Sequence, residues 1–241
     1  MPAVAATFAA RLPEVVDCVG LYAAGSLATG DYRHGVSDLD LVALIHRPIA
    51  PADRRRLQAL HGELVASDPT AAALHCAYVP RSDVADLAQA HLTWAHGEFL
   101  LRPLTAIARA ELGRGGIALV GPPCEATIPP VTHQQMAAAA RCELEFYRRF
   151  LTRRPWVWLH DEWVDLGLTT LVRADVTIGS GALLTKSAAI ERLAASGAPA
   201  WLVADLRRRR AGDARALGPV ARVRRAVATW RIMAAGLARR T

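Results

Sequence analysis

Cysteine is scarce in this chain. Cys18, Cys76, Cys124 and Cys142 are the only four, and no two form a CxxC pair. That spacing gives neither a zinc site nor a disulfide framework. Lysine is scarcer still: of 29 basic residues, Lys186 alone is a lysine. Arginine in place of lysine is what GC-rich coding produces, so the one retained lysine stands out. Long apolar runs are missing as well, and none could span a bilayer. The start, MPAVAATFAARLPEVV, has no basic segment followed by an apolar stretch, so no signal peptide is read. The expectation is a soluble, cytoplasmic protein without a membrane partner.

What is present is ample apolar material and an uneven charge. The chain has 241 residues, 52% of them hydrophobic, enough for one large domain or two modest ones. Residues 1–125 carry a net charge of −3 and residues 126–241 a net charge of +10. Most of the excess lies in 205–241. A basic segment of this kind either contacts nucleic acid or polyphosphate, or is a solvated helix face.

The hydrophobic pattern changes character along the chain. Helical spacing over 3–12 precedes a short strand at Val19–Ala23, a helical turn at Ser26–Gly30 and a buried strand at Leu39–Ile45. An amphipathic helix follows over 52–66, then a strand at Leu74–Val79. Helical patterns lie near 83–90 and 103–113, before a short strand at Ile117–Val120. Strands alternating with helices predict an α/β layer. EATIPPVT at 125–132 reads as a linker, and Thr132 with Gln135 as a capping box opening a helix to about Phe150. Helical patterns near 160–178, 186–196, 198–211 and 219–238 follow with no strand signal. The division is therefore an α/β N-terminal domain, 1–126, with a small mixed sheet flanked by helices, and an all-α helical bundle, 127–241.

One segment carries chemistry: GLYAAGSLATGDYRHGVSDLDLVALI. Asp38 and Asp40 stand two apart at a strand start, so their side chains share a face. A pair of hard oxygen ligands suits Mg²⁺. Gly25 and Ser26 lie upstream, where a glycine lets backbone amides approach a phosphate. Ser37 turns the chain into the strand. Such a site fits in-line displacement of pyrophosphate from a nucleoside triphosphate.

GS-x10-SDLDL resembles the signature of the DNA polymerase β-type nucleotidyltransferase superfamily. Two further stretches, LVGPP at 119–123 and TTLVRADVTIGSGALLTKSAAIERL at 169–193, resemble the aminoglycoside (3'')(9)-adenylyltransferases. The resemblance implies a helical domain closing over a cleft, with Arg173 and Lys186 at the nucleotide phosphates beside Gly25, Ser26 and Ser37. It implies Asp38 and Asp40 as ligands of Mg²⁺ and ATP as co-substrate. The family's third strand carries a glutamate that acts as base. The matching run here is ALHCAYVP, which places His75 there, and a neutral imidazole can also take a proton. Glu98 is a fallback. Trp158, Asp161, Glu162 and Asp165 in PWVWLHDEWVDLG offer aromatic and acidic contacts to a cationic acceptor; a tryptophan-rich helix start is the plain alternative. His91, Trp94 and His96 read as packing residues. The expected activity is Mg²⁺-dependent adenylyl transfer from ATP to a hydroxyl of a small aminoglycoside-like acceptor, which would make the chain an antibiotic-resistance enzyme. Two alternatives stand beside it: transfer to a protein or RNA, and a nucleotide-binding regulatory protein that has lost the chemistry.

Overall fold

The computed structural model describes residues 1–213 and 215–239, without side-chain detail at 151–153. The chain forms two compact units, Met1–Val131 and the residues from Thr132 onward. The stretch 127–131 stays with the first unit for a visible reason. The Thr127 hydroxyl donates to Tyr22 Oη at 2.9 Å, and Ile128 packs in that unit's core.

The first unit is a six-stranded mixed sheet in the order β5-β4-β3-β2-β1-β6. Its strands are β1 (Cys18–Ala23), β2 (Leu39–Ile45), β3 (Leu74–Pro80), β4 (Ala90–Ala95), β5 (Glu98–Pro103) and β6 (Ile117–Val120). Only β2 and β3 run parallel; their crossover is α3 (Pro51–Ser67). Period-two alternation along β2 divides the core. Leu41, Ala43 and Ile45 join α1 (Ala3–Arg11) and α3, through Phe8, Leu57, Leu60 and Leu64. Val42 and Leu44 join Tyr22, Val79 and Leu112, the last on α4 (Ala106–Gly115). Each such leucine, fully buried, contributes about 1.5–3 kcal/mol relative to exposure.

One sequence expectation fails here. Residues 83–89 form turns and bends rather than a helix, and an unforeseen hairpin, β4–β5, follows from Ala90. Local side-chain bonds divert the backbone: Asp86 Oδ1 accepts the Ala88 N–H at 2.8 Å, an Asx turn that competes with helix formation. The hairpin closes on His96 and Gly97, both at positive φ (54° and 81°), as a tight two-residue β-turn requires.

The second unit is helical, as expected: α5 (His133–Arg153), α6 (Asp161–Ser180), α7 (Lys186–Ala195), α8 (Ala200–Arg210) and α9 (Pro219–Ala238). The capping box is formed in both directions. Gln135 N–H donates to Thr132 Oγ1 at 3.2 Å, and Thr132 N–H to Gln135 Oε1 at 2.8 Å. Among the described residues no helix is long and apolar enough to cross a membrane.

Candidate active site

The site in the first unit is built where β1 ends and β2 and β3 begin. Ala24 N–H donates to the Asp40 carbonyl at 2.8 Å, pinning the exit of β1 to the start of β2. The chain then turns through Gly25 at φ +55° into the short helix α2 (Gly25–Ala28). The turn presses on the aspartate. A Cβ at Gly25 would fall 3.0 Å from Asp40 Cγ and closer still to Oδ2. Only a glycine leaves the carboxylate where it is.

Ser26 follows, with its hydroxyl oxygen buried and without a hydrogen-bond partner among the described residues. A buried polar atom without a partner costs free energy, so this donor is free for a ligand. Ser37 is different. It is buried, and its Oγ accepts the Arg33 N–H at 3.0 Å, which closes the loop that delivers Asp38. Its oxygen is engaged in shaping the chain.

Asp38 is exposed just before β2, and Asp40 is half-exposed within it. Asp40 lies in register with His75 on the parallel strand β3. His75 Nδ1 stands 3.7 Å from Asp40 Oδ1. The His75 ring also meets His96, whose ring centroid is 4.6 Å away at 68°. The hairpin missed in the sequence thus delivers a second imidazole to the site. Its one sequence signal was the His96-Gly97 turn. Glu98, the fallback base, is exposed at the start of β5.

The residues present fit Mg²⁺ in one respect. Asp38 and Asp40 are two carboxylates two positions apart, and Mg²⁺ ordinarily takes one or two protein carboxylates plus phosphate oxygens and water. Among the described residues no group of three or more His, Cys, Asp and Glu forms a metal cage, and an imidazole is a poor ligand for so hard a cation.

In the second unit, Arg173 on α6 donates through Nε to the Leu184 carbonyl at 2.8 Å. This ties α6 to the loop that leads into α7. Thr185 caps α7 by accepting Ala188 N–H at 3.1 Å, and Lys186 is the first residue of that helix. The two cationic residues are thereby joined through one short loop. Lys186 has no ion-pair partner among the described residues, so its charge is available to an anion.

The expected acceptor contacts are placed otherwise. Trp158 is fully buried; it packs over Gly167, where an added Cβ would collide with its ring. It is a core residue and offers no wall to a ligand. Asp165 is held by Arg209 at 2.6 Å, and Asp161 by Arg225. Arg209 and Arg225 also converge on the buried Asp205. Burial works against the Arg209 charge, but Asp165 and Asp205 outweigh it and hold its pKa above the usual value. Both carboxylates are spent on internal arginines that the sequence left as surface charge. Glu162 alone of the four is exposed and without an ion-pair partner among the described residues.

No protein-family model matches the sequence, and no curated protein does. Among solved structures, the spectinomycin adenyltransferase AAD(9) from Enterococcus faecialis, determined with ATP and spectinomycin, is similar with a TM-score of 0.68. The likeness covers 95% of this chain and 97% of that one, at 12% identity. The chain has the fold of a spectinomycin adenyltransferase. That agrees with the fold expected from GS-x10-SDLDL and from the helical second half.

Proposed function

We propose that the chain is a Mg²⁺-dependent nucleotidyltransferase that moves AMP from ATP to a hydroxyl of a small cationic acceptor of the aminocyclitol type. The observation that carries this reading is the Gly25 turn seated on Asp40, with an unpartnered Ser26 hydroxyl beside it, in a fold shared with an enzyme solved with ATP. Asp38 and Asp40 would hold the metal, which when bound neutralises triphosphate charge and sharpens the α-phosphorus for attack. The Gly25-Ser26 turn offers a hydroxyl and backbone amides to phosphate oxygens. Arg173 and Lys186 offer the helical unit's charge to the same kind of group, the lysine as a compact cation suited to phosphate. In the transfer, the acceptor oxygen bonds to the α-phosphorus, the bond to the β-phosphate oxygen breaks and pyrophosphate leaves. His75, with Nδ1 turned to Asp40, takes the hydroxyl proton on Nε2. Trp158, Asp161 and Asp165 have no part in holding the acceptor on this reading, and Glu162 is the one carboxylate of that group still open to a cation.

A second reading draws on one observation: the residue in register with Asp40 is a histidine instead of a third carboxylate. A protein that binds ATP and regulates without transferring would tolerate that change. A pyrophosphate-release screen separates the two, pairing the four nucleoside triphosphates with aminocyclitols, RNA and a protein extract. Release with ATP and an aminocyclitol supports transfer. Mg²⁺-dependent ATP binding with no release for any acceptor supports the regulator, and release only with RNA or extract moves the acceptor class.

A further inference from the structure

The last helix presents a surface that nothing in the nucleotide chemistry uses. α9 turns Arg225, Ala226, Thr229, Met233, Gly236 and Leu237 inward. Beside that face run Val220, Val223, Val227 and Trp230, exposed by 84, 53, 41 and 45%. At 3.6 residues per turn these four fall within an arc of about 80° and extend over about 15 Å. Their 3-4-3 spacing is that of the a and d positions of a coiled-coil seam. On the solvent edge of the seam stand Arg224 and Arg231, both exposed. α9 contains no Asp or Glu. At its N-terminal end a cavity of about 540 Å³ opens between Trp201 on α8 and Leu217, Val220 and Arg224, where the Arg224 guanidinium lies 4.3 Å from the Trp201 ring centroid.

We propose that this stripe is the docking seam for an acidic amphipathic helix of a partner protein. Apolar residues of the partner would interleave with Val220, Val223, Val227 and Trp230, and its flanking carboxylates would meet Arg224 and Arg231. The cavity beside Trp201 takes a larger apolar side chain at one end of the seam. Charge decides against a second copy of this chain, since two α9 helices would set arginine rows against each other with no carboxylate between them. Width decides against a lipid surface. A surface-lying helix gives its whole apolar face to the lipid, whereas this stripe is one seam wide and borders a face already packed within the protein. Nucleic acid would occupy the arginines and leave four apolar side chains without a partner. The inference is independent of the nucleotidyl-transfer reading.

The test uses the full chain and a synthetic helical peptide about three heptads long, with Leu at a and d and Glu at the flanking positions. Binding is followed by calorimetry. The acidic peptide should bind, and a counterpart with Lys flanks should not. Val227→Asp, a change at an exposed position, should weaken binding at least about tenfold. Arg224→Glu with Arg231→Glu should move the preference to the Lys-flanked peptide. No binding of the acidic peptide overturns the proposal, as does affinity unchanged by Val227→Asp or by the double charge reversal. Self-association abolished by Val227→Asp would assign the seam to a second copy. Binding to phosphatidylserine vesicles or duplex DNA without binding to the peptide would assign it to lipid or nucleic acid, and each of these results also overturns it.

Discussion

Replacing Gly25 with alanine should damage catalysis far more than stability, and a matched control separates the two effects. Gly25 and Gly30 both have positive φ, +55° and +72°. Alanine in that region costs about 1–2 kcal/mol at either position, which at about 2–4 °C per kcal/mol lowers Tm by a few degrees in a chain of this size. The surroundings differ. A Cβ at Gly30 meets nothing within 4 Å, whereas one at Gly25 lies 3.0 Å from Asp40 Cγ. Ordinary carbon contact begins near 3.5 Å, so the Asp40 carboxylate must withdraw by about 0.5–1 Å. A displacement of about 1 Å in a group that positions substrate can lower the rate about 100-fold, or about 2.7 kcal/mol. Thermal melts and pyrophosphate release of the two variants provide the comparison. Similar losses of Tm with a loss of kcat/KM only in Gly25→Ala are expected. Equal turnover in Gly25→Ala and Gly30→Ala would refute the argument that the turn sets the carboxylate.

Three further outcomes are expected. His75→Gln should lower kcat by about 100-fold or more while leaving the KM for ATP unchanged; full activity would return His75 to a packing role. Asp205→Ala should destabilise the helical unit by about 1–3 kcal/mol in denaturant titrations, because it removes the carboxylate that the buried Arg209 and Arg225 share and leaves each with one acidic partner, Asp165 and Asp161; a change within error would show that those two partners suffice. His61 is buried against Phe8 and Trp94 with Nε2 2.7 Å from Tyr78 Oη, and burial pushes its pKa down to about 3. Unfolded, it binds a proton near pH 6.5, so the unfolded state holds more protons between these values. Stability is then full above about pH 6.5 and falls by about 2 kcal/mol on going to pH 5. His61→Gln should flatten that slope, and an unchanged slope would exclude His61 as its source.

The turn and strand around Asp40 were legible because their signals are local. Gly25, Ser26, Asp38 and Asp40 fall within sixteen consecutive residues, and strand periodicity alone puts both carboxylates on one face. The Thr132–Gln135 box was legible for the same reason. The hairpin β4–β5 was not, since short apolar runs fit strand and helix alike and the Asx turn before it breaks the pattern. With it went the approach of His96 to His75. The ion pairs of the acidic-aromatic segment were not legible because its partners are remote. Asp165 meets Arg209 from 44 positions away and Asp161 meets Arg225 from 64. No spacing rule distinguishes a carboxylate waiting for a cationic ligand from one already paired with an arginine of its own chain.

Following the two ends of ATP separately tests the central claim most directly. With label on the α-phosphate and with Mg²⁺ present, the account predicts that label passes to an aminocyclitol acceptor, that label on the γ-phosphate leaves as pyrophosphate, and that Asp40→Asn abolishes both. Transfer of the γ-label to the acceptor, or α-label transfer that persists in Asp40→Asn, would contradict it.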